Sequence, residues 1–387
     1  MTHAGYALQR MQWGDDRVLK AGIIMHPFYA NQRSGRVARL DQLQSWVAET
    51  QSGNQAWPAS WQWQLVSGDA SFRKYYRVIR EDGTTIIAVD APPAQENNPA
   101  FVALARHWRE KGMRLPEILA ADFDQGFLLV EDFGDVMLRD RLSAATVDGW
   151  YQQALALLPS LQQIDDCQDY PLPCYDRVML ERELEIFAEW FYRGLLHLSG
   201  TSKTQHVWRE LCQHLVQAML EQPQVCIHRD FHSRNLMCLT EGHLGLIDFQ
   251  GAVRGPVSYD VVSLIRDCYL RWPVSQVRCW SEYAYDLLRQ QQPSVLQEVS
   301  LTEWQRWLDL TGMQRHLKAI GIFARLHLRD GKSAYLHDIP RTLGYVLEQA
   351  QCYAEFEPFA QLLLDQVVPA LRECSSISVE AQKDLTT

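Results

Sequence analysis

One short segment contains most of the side chains that could carry out chemistry. His228, Asp230 and Asn235 occur in HRDFHSRNL, and Asp248 follows Asn235 by thirteen residues in LIDFQG. Transfer of a phosphoryl group needs a carboxylate that orients the attacking hydroxyl, together with hard oxygen ligands that hold Mg²⁺ against the polyphosphate. The pattern H-x-D-x-x-x-x-N followed by D is that of kinase catalytic loops. The segment therefore predicts an ATP-dependent phosphotransferase.

The side chains of this segment are predicted to have different roles. Asp230 is the predicted catalytic base, whereas Asn235, through its amide oxygen, and Asp248 are the predicted Mg²⁺ ligands. His228 is more simply a support for the loop. Any one of these residues alone would be an ordinary turn or cap residue, so the prediction depends on their order and spacing together.

A turn between two predicted strands is the candidate phosphate-binding loop. It contains Gly68, Ser71, Phe72 and Arg73, and kinases place a loop over the nucleotide phosphates at this point. Glycine and a small hydroxyl allow the main chain to approach phosphate oxygens closely. A single glycine is a weak signal, and an ordinary hairpin is the alternative.

The segment after the apolar run FLLV is the candidate adenine site. Main-chain groups of Glu131 to Phe133 are predicted to pair with the adenine edge, with a plain strand end as the alternative. Asp132-Phe133-Gly134 also spells the kinase metal motif. Because it precedes the catalytic loop in the chain, we do not assign it that role.

The third predicted strand, TTIIAVD, lacks the lysine that pairs with the α- and β-phosphates in protein kinases. Arg73 or Lys74 is the predicted replacement for this charge. The missing lysine also leaves open a degenerate kinase that binds a nucleotide without turnover, although the intact Asp230, Asn235 and Asp248 argue against it.

The elements around these residues predict an α+β, bilobal, protein-kinase-like fold. Short β-type runs and one helix predict a small antiparallel-sheet N-lobe over residues 40–136, and helical patterns predict a larger, mainly helical C-lobe over residues 137–373. A helix is expected to begin near Leu40. Residues 1–39 are interpreted as a leader, either disordered or the result of a start placed too far upstream, and residues 374–387 as a polar, disordered tail.

Composition restricts the partners. The 387-residue chain has a formal net charge of -10, which disfavours nucleic acid and anionic membrane surfaces as partners. Its nine cysteines include no C-x-x-C pair, so reduced thiols and a cytoplasmic location are expected. ATP, Mg²⁺ and a small-molecule acceptor are the predicted ligands, and no obligatory protein partner is inferred.

The catalytic segment and the stretch LIDFQGAVRGPVSYDVVSL resemble the aminoglycoside-phosphotransferase superfamily. GDASFRKYYRV, AVDAPPAQENNPAFVALA and QRHLKAIGIFARLHLRDGKSAYLHDIPRTLGYV resemble a narrower branch, the bacterial anomeric kinases for N-acetylmuramate and N-acetylglucosamine in peptidoglycan recycling. The lysine-free AVDAPP strand is part of this resemblance. It implies phosphorylation of an amino sugar at the C1 hydroxyl.

The acceptor is less well defined than the reaction. His316, Arg325, His327, Arg329 and Lys332 are cationic groups that could face a carboxylate or sugar hydroxyls, with a solvated helix face as the alternative. An aminoglycoside, choline or another small alcohol remains an alternative acceptor.

Overall fold

The structure, a computed structural model, describes residues 28–52, 60–67, 72–240 and 242–385. The elements of the N-terminal part are α1 Phe28–Ser52, β1 Gln62–Ser67, β2 Lys74–Ile79, β3 Thr85–Asp90, α2 Asn98–Glu110, β4 Ile118–Asp122 and β5 Phe127–Glu131. The larger part that follows contains α3 Val147–Leu155, α4 Leu158–Gln162, α5 Arg177–Ile186, α6 Ser202–Leu220, β6 Gln224–Ile227, β7 Leu236–Cys238, β8 Leu244–Leu246, β9 Val253–Pro256, α7 Tyr259–Ile265, α8 Val274–Gln291, α9 Pro293–Leu296, α10 Leu301–Asp330, α11 Ile339–Gln351, α12 Glu357–Leu362, α13 Val368–Glu373 and α14 Val379–Gln382.

A five-stranded antiparallel sheet forms the N-lobe, in the order β1-β2-β3-β5-β4. Side chains alternate between its two faces because successive strand residues point in opposite directions. Val78, Ala88 and Phe127 lie on the face packed against α1, whereas Ile87 and Val89 belong to the main core on the other face. That second face is the one directed at α2 and the C-lobe.

The C-lobe is built around α10, which packs against α5, α6, α7 and α11. Its N-terminus is capped by Ser300, whose side chain accepts from the Glu303 N–H, and its C-terminus by Gly331 at φ +69°; glycine adopts this left-handed conformation without strain. Two short antiparallel pairs, β6 with β9 and β7 with β8, carry the catalytic segment across this lobe. None of the helices in the described ranges is both long and apolar enough to cross a membrane.

The predicted α+β bilobal fold is confirmed, whereas two expectations about the ends of the chain are wrong. Helix α1 begins at Phe28, well before the expected start near Leu40. The tail is ordered as far as residue 385, because Ile377, Ala381 and Leu385 are buried and Arg341 pairs with Asp384 at 2.6 Å. The predicted lobe boundaries remain predictions.

Candidate active site

The catalytic loop leaves β6 and is fixed from behind by one buried carboxylate. Asp260, at the start of α7, accepts hydrogen bonds from the main-chain N–H of His228 at 2.7 Å and of Arg229 at 3.0 Å. Arg229 has φ +71°, a conformation that non-glycine residues seldom adopt without support. The two bonds to Asp260 therefore hold the turn that presents Asp230.

The structure brings the three predicted catalytic and metal-binding residues together. The Asn235 Nδ2 donates to the Asp230 main-chain oxygen at 3.0 Å and lies 3.4 Å from the Asp248 Oδ2. The Ile247 N–H donates to the main-chain oxygen of Asn235 at 3.0 Å, which ties the end of β8 to the loop. The Asp230 Oδ2 faces Gly251, where an added Cβ would lie 3.7 Å from it.

Helix α2 positions Asp248 through the residue next to it. Phe249 stacks on Phe101 at 4.7 Å between centroids and lies 6.2 Å from Trp108, and both partners are buried residues of α2. Asp248 is left-handed at φ +63° and exposed. Packing of Phe249 therefore fixes the backbone while the carboxylate remains accessible.

Carboxylate and amide oxygens of this kind suit a hard cation such as Mg²⁺. Asp248 supplies an exposed carboxylate and Asn235 an amide beside it. Neither here nor elsewhere in the described ranges do three or more His, Cys, Asp or Glu side chains form a cluster that suits a metal. The donor set thus fits a metal that is also held by a nucleotide, rather than one held by protein ligands alone.

The environment of Asp230 favours its ionised form. Burial by itself would raise the pKa of this carboxyl, but Lys318, His232 and Arg229 lower it, and the balance leaves the pKa below its usual value. A carboxylate that is ionised at neutral pH can accept a proton from an attacking hydroxyl.

Behind Asp230 lies a buried hub centred on Glu183 of α5. This carboxylate pairs with Arg229 at 2.5 Å and with Lys318 at 3.3 Å, and accepts from the Tyr175 hydroxyl and from Gln314 Nε2. Two of its partners are the cations that act on Asp230. Glu183 therefore holds these cations in position, because a buried charge is stable only when it is paired.

On the N-lobe, Arg73 and Lys74 point to opposite faces of the sheet. Arg73 is buried, pairs with Glu96 at 3.3 Å and lies 4.7 Å from the centroid of the Phe101 ring. Burial raises the pKa of Tyr75 to about 12, Arg73 lowers it and Asp248 raises it, so the Tyr75 hydroxyl lies near both residues. Arg73 is therefore on the face that looks towards Asp248.

Lys74 lies on the other face, where its Nζ is 3.9 Å from the Asp90 carboxylate. Arg39 of α1 binds the same carboxylate at 2.6 Å. Of the two candidates for the missing strand lysine, Arg73 is thus the one near the catalytic residues. Phe72 is exposed, and its N–H donates to Glu96 at 3.2 Å; Gly68 and Ser71 lie outside the described residues.

Both main-chain and side-chain interactions hold the proposed adenine segment. The Glu131 N–H donates to the Glu117 main-chain oxygen at 2.9 Å. Glu131 pairs with Arg114, and the Phe133 ring packs so closely on Gly245 that a Cβ there would lie 2.4 Å from it. Asp132 pairs with Arg77 of β2 at 2.5 Å. This ion pair accounts for Asp132 without a catalytic role.

The cationic residues that the sequence analysis named in the C-terminal helix differ from the cations that lie near Asp230 in the structure. His316 is buried, its Nε2 lies 2.9 Å from the Arg266 main-chain oxygen, and burial lowers its pKa to about 3, so the expected cationic role is wrong. Arg329 is exposed and pairs with Asp330. Arg315 and Lys318, which sequence reasoning missed, are the buried cations of α10 near Asp230.

The other cationic residues named in the sequence analysis, Arg325, His327 and Lys332, lie near the C-terminal end of α10 and just beyond it. Arg325 is half-buried, and burial lowers its pKa. The His327 Nδ1 lies 3.0 Å from the Ser333 hydroxyl. Lys332 directly follows the helix-ending Gly331.

Comparison with known proteins agrees with this arrangement. The fold and the loop define a kinase-like phosphotransferase, and the profile of the phosphotransferase enzyme family matches residues 62–285. The chain belongs to this family. It is 37% identical to an N-acetylmuramate/N-acetylglucosamine kinase of Pseudomonas putida, over 84% of this chain and 96% of that protein. A protein of the same description from Pseudomonas aeruginosa is 38% identical over 77% of this chain and 86% of that protein.

Solved structures share the fold at much lower sequence identity. Plasmodium vivax ethanolamine kinase superposes with a TM-score of 0.58 at 11% identity, over 89% of this chain and 98% of that chain. An amicoumacin kinase in complex with AMP-PNP and Ca²⁺ gives a TM-score of 0.55 at 16% identity, over 82% of this chain and 95% of that chain. At these identities the likeness concerns the fold alone.

Proposed function

We propose that this protein is an ATP-dependent sugar kinase that phosphorylates the anomeric C1 hydroxyl of N-acetylmuramate and N-acetylglucosamine. The observation that carries the proposal is the joint placement of Asp230, Asn235 and Asp248 in one loop and the following strand end. The names of the relatives that match most of the chain support the choice of acceptor.

In this proposal Asp230 orients the sugar hydroxyl and accepts its proton as the hydroxyl attacks the γ-phosphorus. A hemiacetal hydroxyl is more acidic than that of an ordinary alcohol, so a carboxylate is a strong enough base when it is well aligned. Lys318 and Arg229 keep the Asp230 carboxylate ionised. Asp230 is therefore ready to take a proton at neutral pH.

Asn235 and Asp248 are the residues that would hold Mg²⁺ together with the polyphosphate. The metal neutralises charge on the phosphate oxygens when it is bound. Arg73 supplies a positive charge from the sheet face that looks towards Asp248, and Gly68, Ser71 and Phe72 belong to the proposed phosphate loop. Main-chain groups of Glu131 to Phe133 are proposed to pair with adenine.

The charges around Asp230 favour a neutral or anionic acceptor over a polycationic one. Arg229, Lys318 and Arg315 surround the catalytic carboxylate, and like charges in a cleft repel a cationic ligand. A pocket for a polycationic aminoglycoside would need an excess of carboxylates near Asp230.

An acceptor panel tests this function. The protein is incubated with Mg-ATP and N-acetylmuramate, N-acetylglucosamine, glucose, choline or kanamycin, while ADP release and the phosphorus NMR spectrum are recorded. We expect ADP release with the two N-acetylated sugars and a resonance of a sugar 1-phosphate. Turnover with choline or kanamycin alone would overturn the acceptor assignment.

A further inference from the structure

Two arginine side chains in the C-lobe lack the ionic partner that a buried arginine normally has. Arg315 is only 6% exposed, and its guanidinium donates to the Cys268 Sγ at 3.3 Å. The Arg234 guanidinium lies 3.5 Å from the centroid of the Tyr269 ring, and its buried Nε has no hydrogen-bond partner. Neither arginine forms an ion pair with any residue in the part of the chain that the structure describes.

The two guanidinium groups lie around one wall of the cleft beside Asp230. Burial lowers the pKa of His232, and Arg315 and Arg234 lower it further, so both charges are close to this ring. His232 packs edge-on against Tyr269 with the centroids 5.4 Å apart. Arg315 also interacts electrostatically with Asp230. The positive charges are therefore close to the proposed catalytic carboxylate.

The carboxylate closest to this wall is already engaged. Asp267 accepts hydrogen bonds from the main-chain N–H and the hydroxyl of Ser233 and from the Tyr269 N–H. These bonds fix the catalytic loop, and no Asp267 oxygen lies within ion-pair distance of Arg234 or Arg315 in the described ranges.

Other charged groups nearby are paired among themselves. Asp338 binds Arg341 at 3.0 Å. Lys318, one helical turn after Arg315, is paired with Glu183 at 3.3 Å. A buried charge is costly unless it is compensated, so two guanidinium groups without an ion-pair partner favour binding of an anion from outside the chain.

We propose that Arg234 and Arg315 bind the carboxylate of an acidic acceptor sugar, and so set the preference of the site for N-acetylmuramate relative to N-acetylglucosamine. The inference rests on the proposed function. The two sugars differ only by a lactyl ether, which carries the carboxylate. The planar donor fork of arginine matches a carboxylate better than a lysine does.

The test compares kcat/KM for the two sugars in wild-type protein and in Arg315→Met. Charge-assisted hydrogen bonds are worth enough that their loss lowers binding by about ten- to a hundredfold. We therefore expect the ratio of kcat/KM for N-acetylmuramate to that for N-acetylglucosamine to fall by about tenfold or more. Arg329→Met removes an exposed cation of the same helix and should leave the ratio within about twofold.

Each other outcome has a defined meaning. An equal loss with both sugars would mean that these arginines serve the phosphate or the fold, and it would refute the subsite while the sugar kinase stands. Wild-type protein that uses only N-acetylglucosamine would also refute it. Activity with neither sugar would overturn the proposed function itself. If Arg315→Met does not fold, Arg234→Met, on a half-buried side chain, gives the same comparison.

Discussion

Asp260→Asn alters the side chain that holds the catalytic loop, while the size and shape of that side chain hardly change. The two Asp260 oxygens accept from the N–H groups of His228 and Arg229 at 2.7 and 3.0 Å. An asparagine has one oxygen, so one bond is lost and its NH₂ group faces an N–H donor. Because Asp260 is fully buried, water cannot replace the bond, and a cost of about 1–3 kcal/mol in unfolding free energy is expected.

The same substitution should reduce the rate. Asp230 follows the anchored residues directly, and a displacement of about 1 Å in a catalytic group costs roughly 100-fold. We expect kcat to fall about 10- to 100-fold at pH 8. Burial raises the pKa of Asp260 to about 7, so between about pH 7 and 4 the folded wild-type protein binds a proton that the unfolded chain does not. Wild-type stability should therefore rise relative to that of Asp260→Asn as pH falls through this range.

Urea denaturation and initial rates of ADP release at pH 6 and pH 8 measure these effects. Asp169→Asn makes the same chemical change at an exposed carboxylate and should leave both quantities near wild type. A free energy within about 0.5 kcal/mol of wild type, with unchanged kcat at pH 8, would refute the anchoring role of Asp260.

Three further predictions concern the nucleotide, helix packing and pH. Arg73→Ala should raise the KM for ATP about tenfold or more, whereas Lys74→Ala, on the opposite sheet face, should change it less than about twofold in the same steady-state assay. Gly321→Ala should destabilise the protein by about 1–3 kcal/mol, because its Cβ would lie 2.6 Å from the backbone between Ile186 and Phe187. Gly149→Ala, in an exposed helix position with nothing within 4 Å, should instead stabilise it by about 0.5–1 kcal/mol. Equal melting temperatures of the two variants and the wild type would contradict both predictions. Burial lowers the pKa of His316 to about 3, so only the unfolded chain takes up this proton between about pH 6 and 4. The free energy of unfolding should therefore fall by up to about 1.4 kcal/mol per pH unit as pH decreases. If the unfolding free energy of His316→Gln, measured with urea, depends on pH as that of wild type does, this contribution is refuted.

Local patterns in the sequence predict the lobes and the catalytic segment well. Alternating apolar residues in the strands and the fixed spacing from His228 to Asp248 are short-range features, and the fold they predict agrees with the five-stranded sheet and helical C-lobe. The position of the Arg73 side chain on the sheet face directed towards Asp248 also follows from strand alternation, because Arg73 and Tyr75 lie on the same face. The sequence alone left Arg73 and Lys74 as equal candidates only because the orientation of the sheet was unknown.

The residues that support Asp230 are far from it in sequence and carry no local signal. Glu183 precedes the loop and Lys318 follows it, and only the packing of α5 against α10 brings them together. Asp260 lies in an apolar run, where a lone carboxylate is a detectable anomaly. Arg315 and Lys318 lie in the polar stretch QRHLK of α10, which resembles a solvated helix face, so the sequence carries no local signal that these two cations are buried.

The tail shows a different limit. Its polar composition predicts disorder, but three apolar residues at 377, 381 and 385 are buried and Asp384 pairs with Arg341 of α11. A few well-spaced contacts with an existing surface are enough to order a short segment, and composition does not report on that surface.

The rate of sugar 1-phosphate formation in wild-type protein and in Asp230→Asn, followed by phosphorus NMR with Mg-ATP and N-acetylglucosamine, tests the central claim most directly. Removal of a general base lowers rates by roughly 10²- to 10⁴-fold. We predict a loss in this range in a variant that is still folded at the assay temperature. A rate in Asp230→Asn within about tenfold of wild type would contradict the assignment of Asp230 as the base.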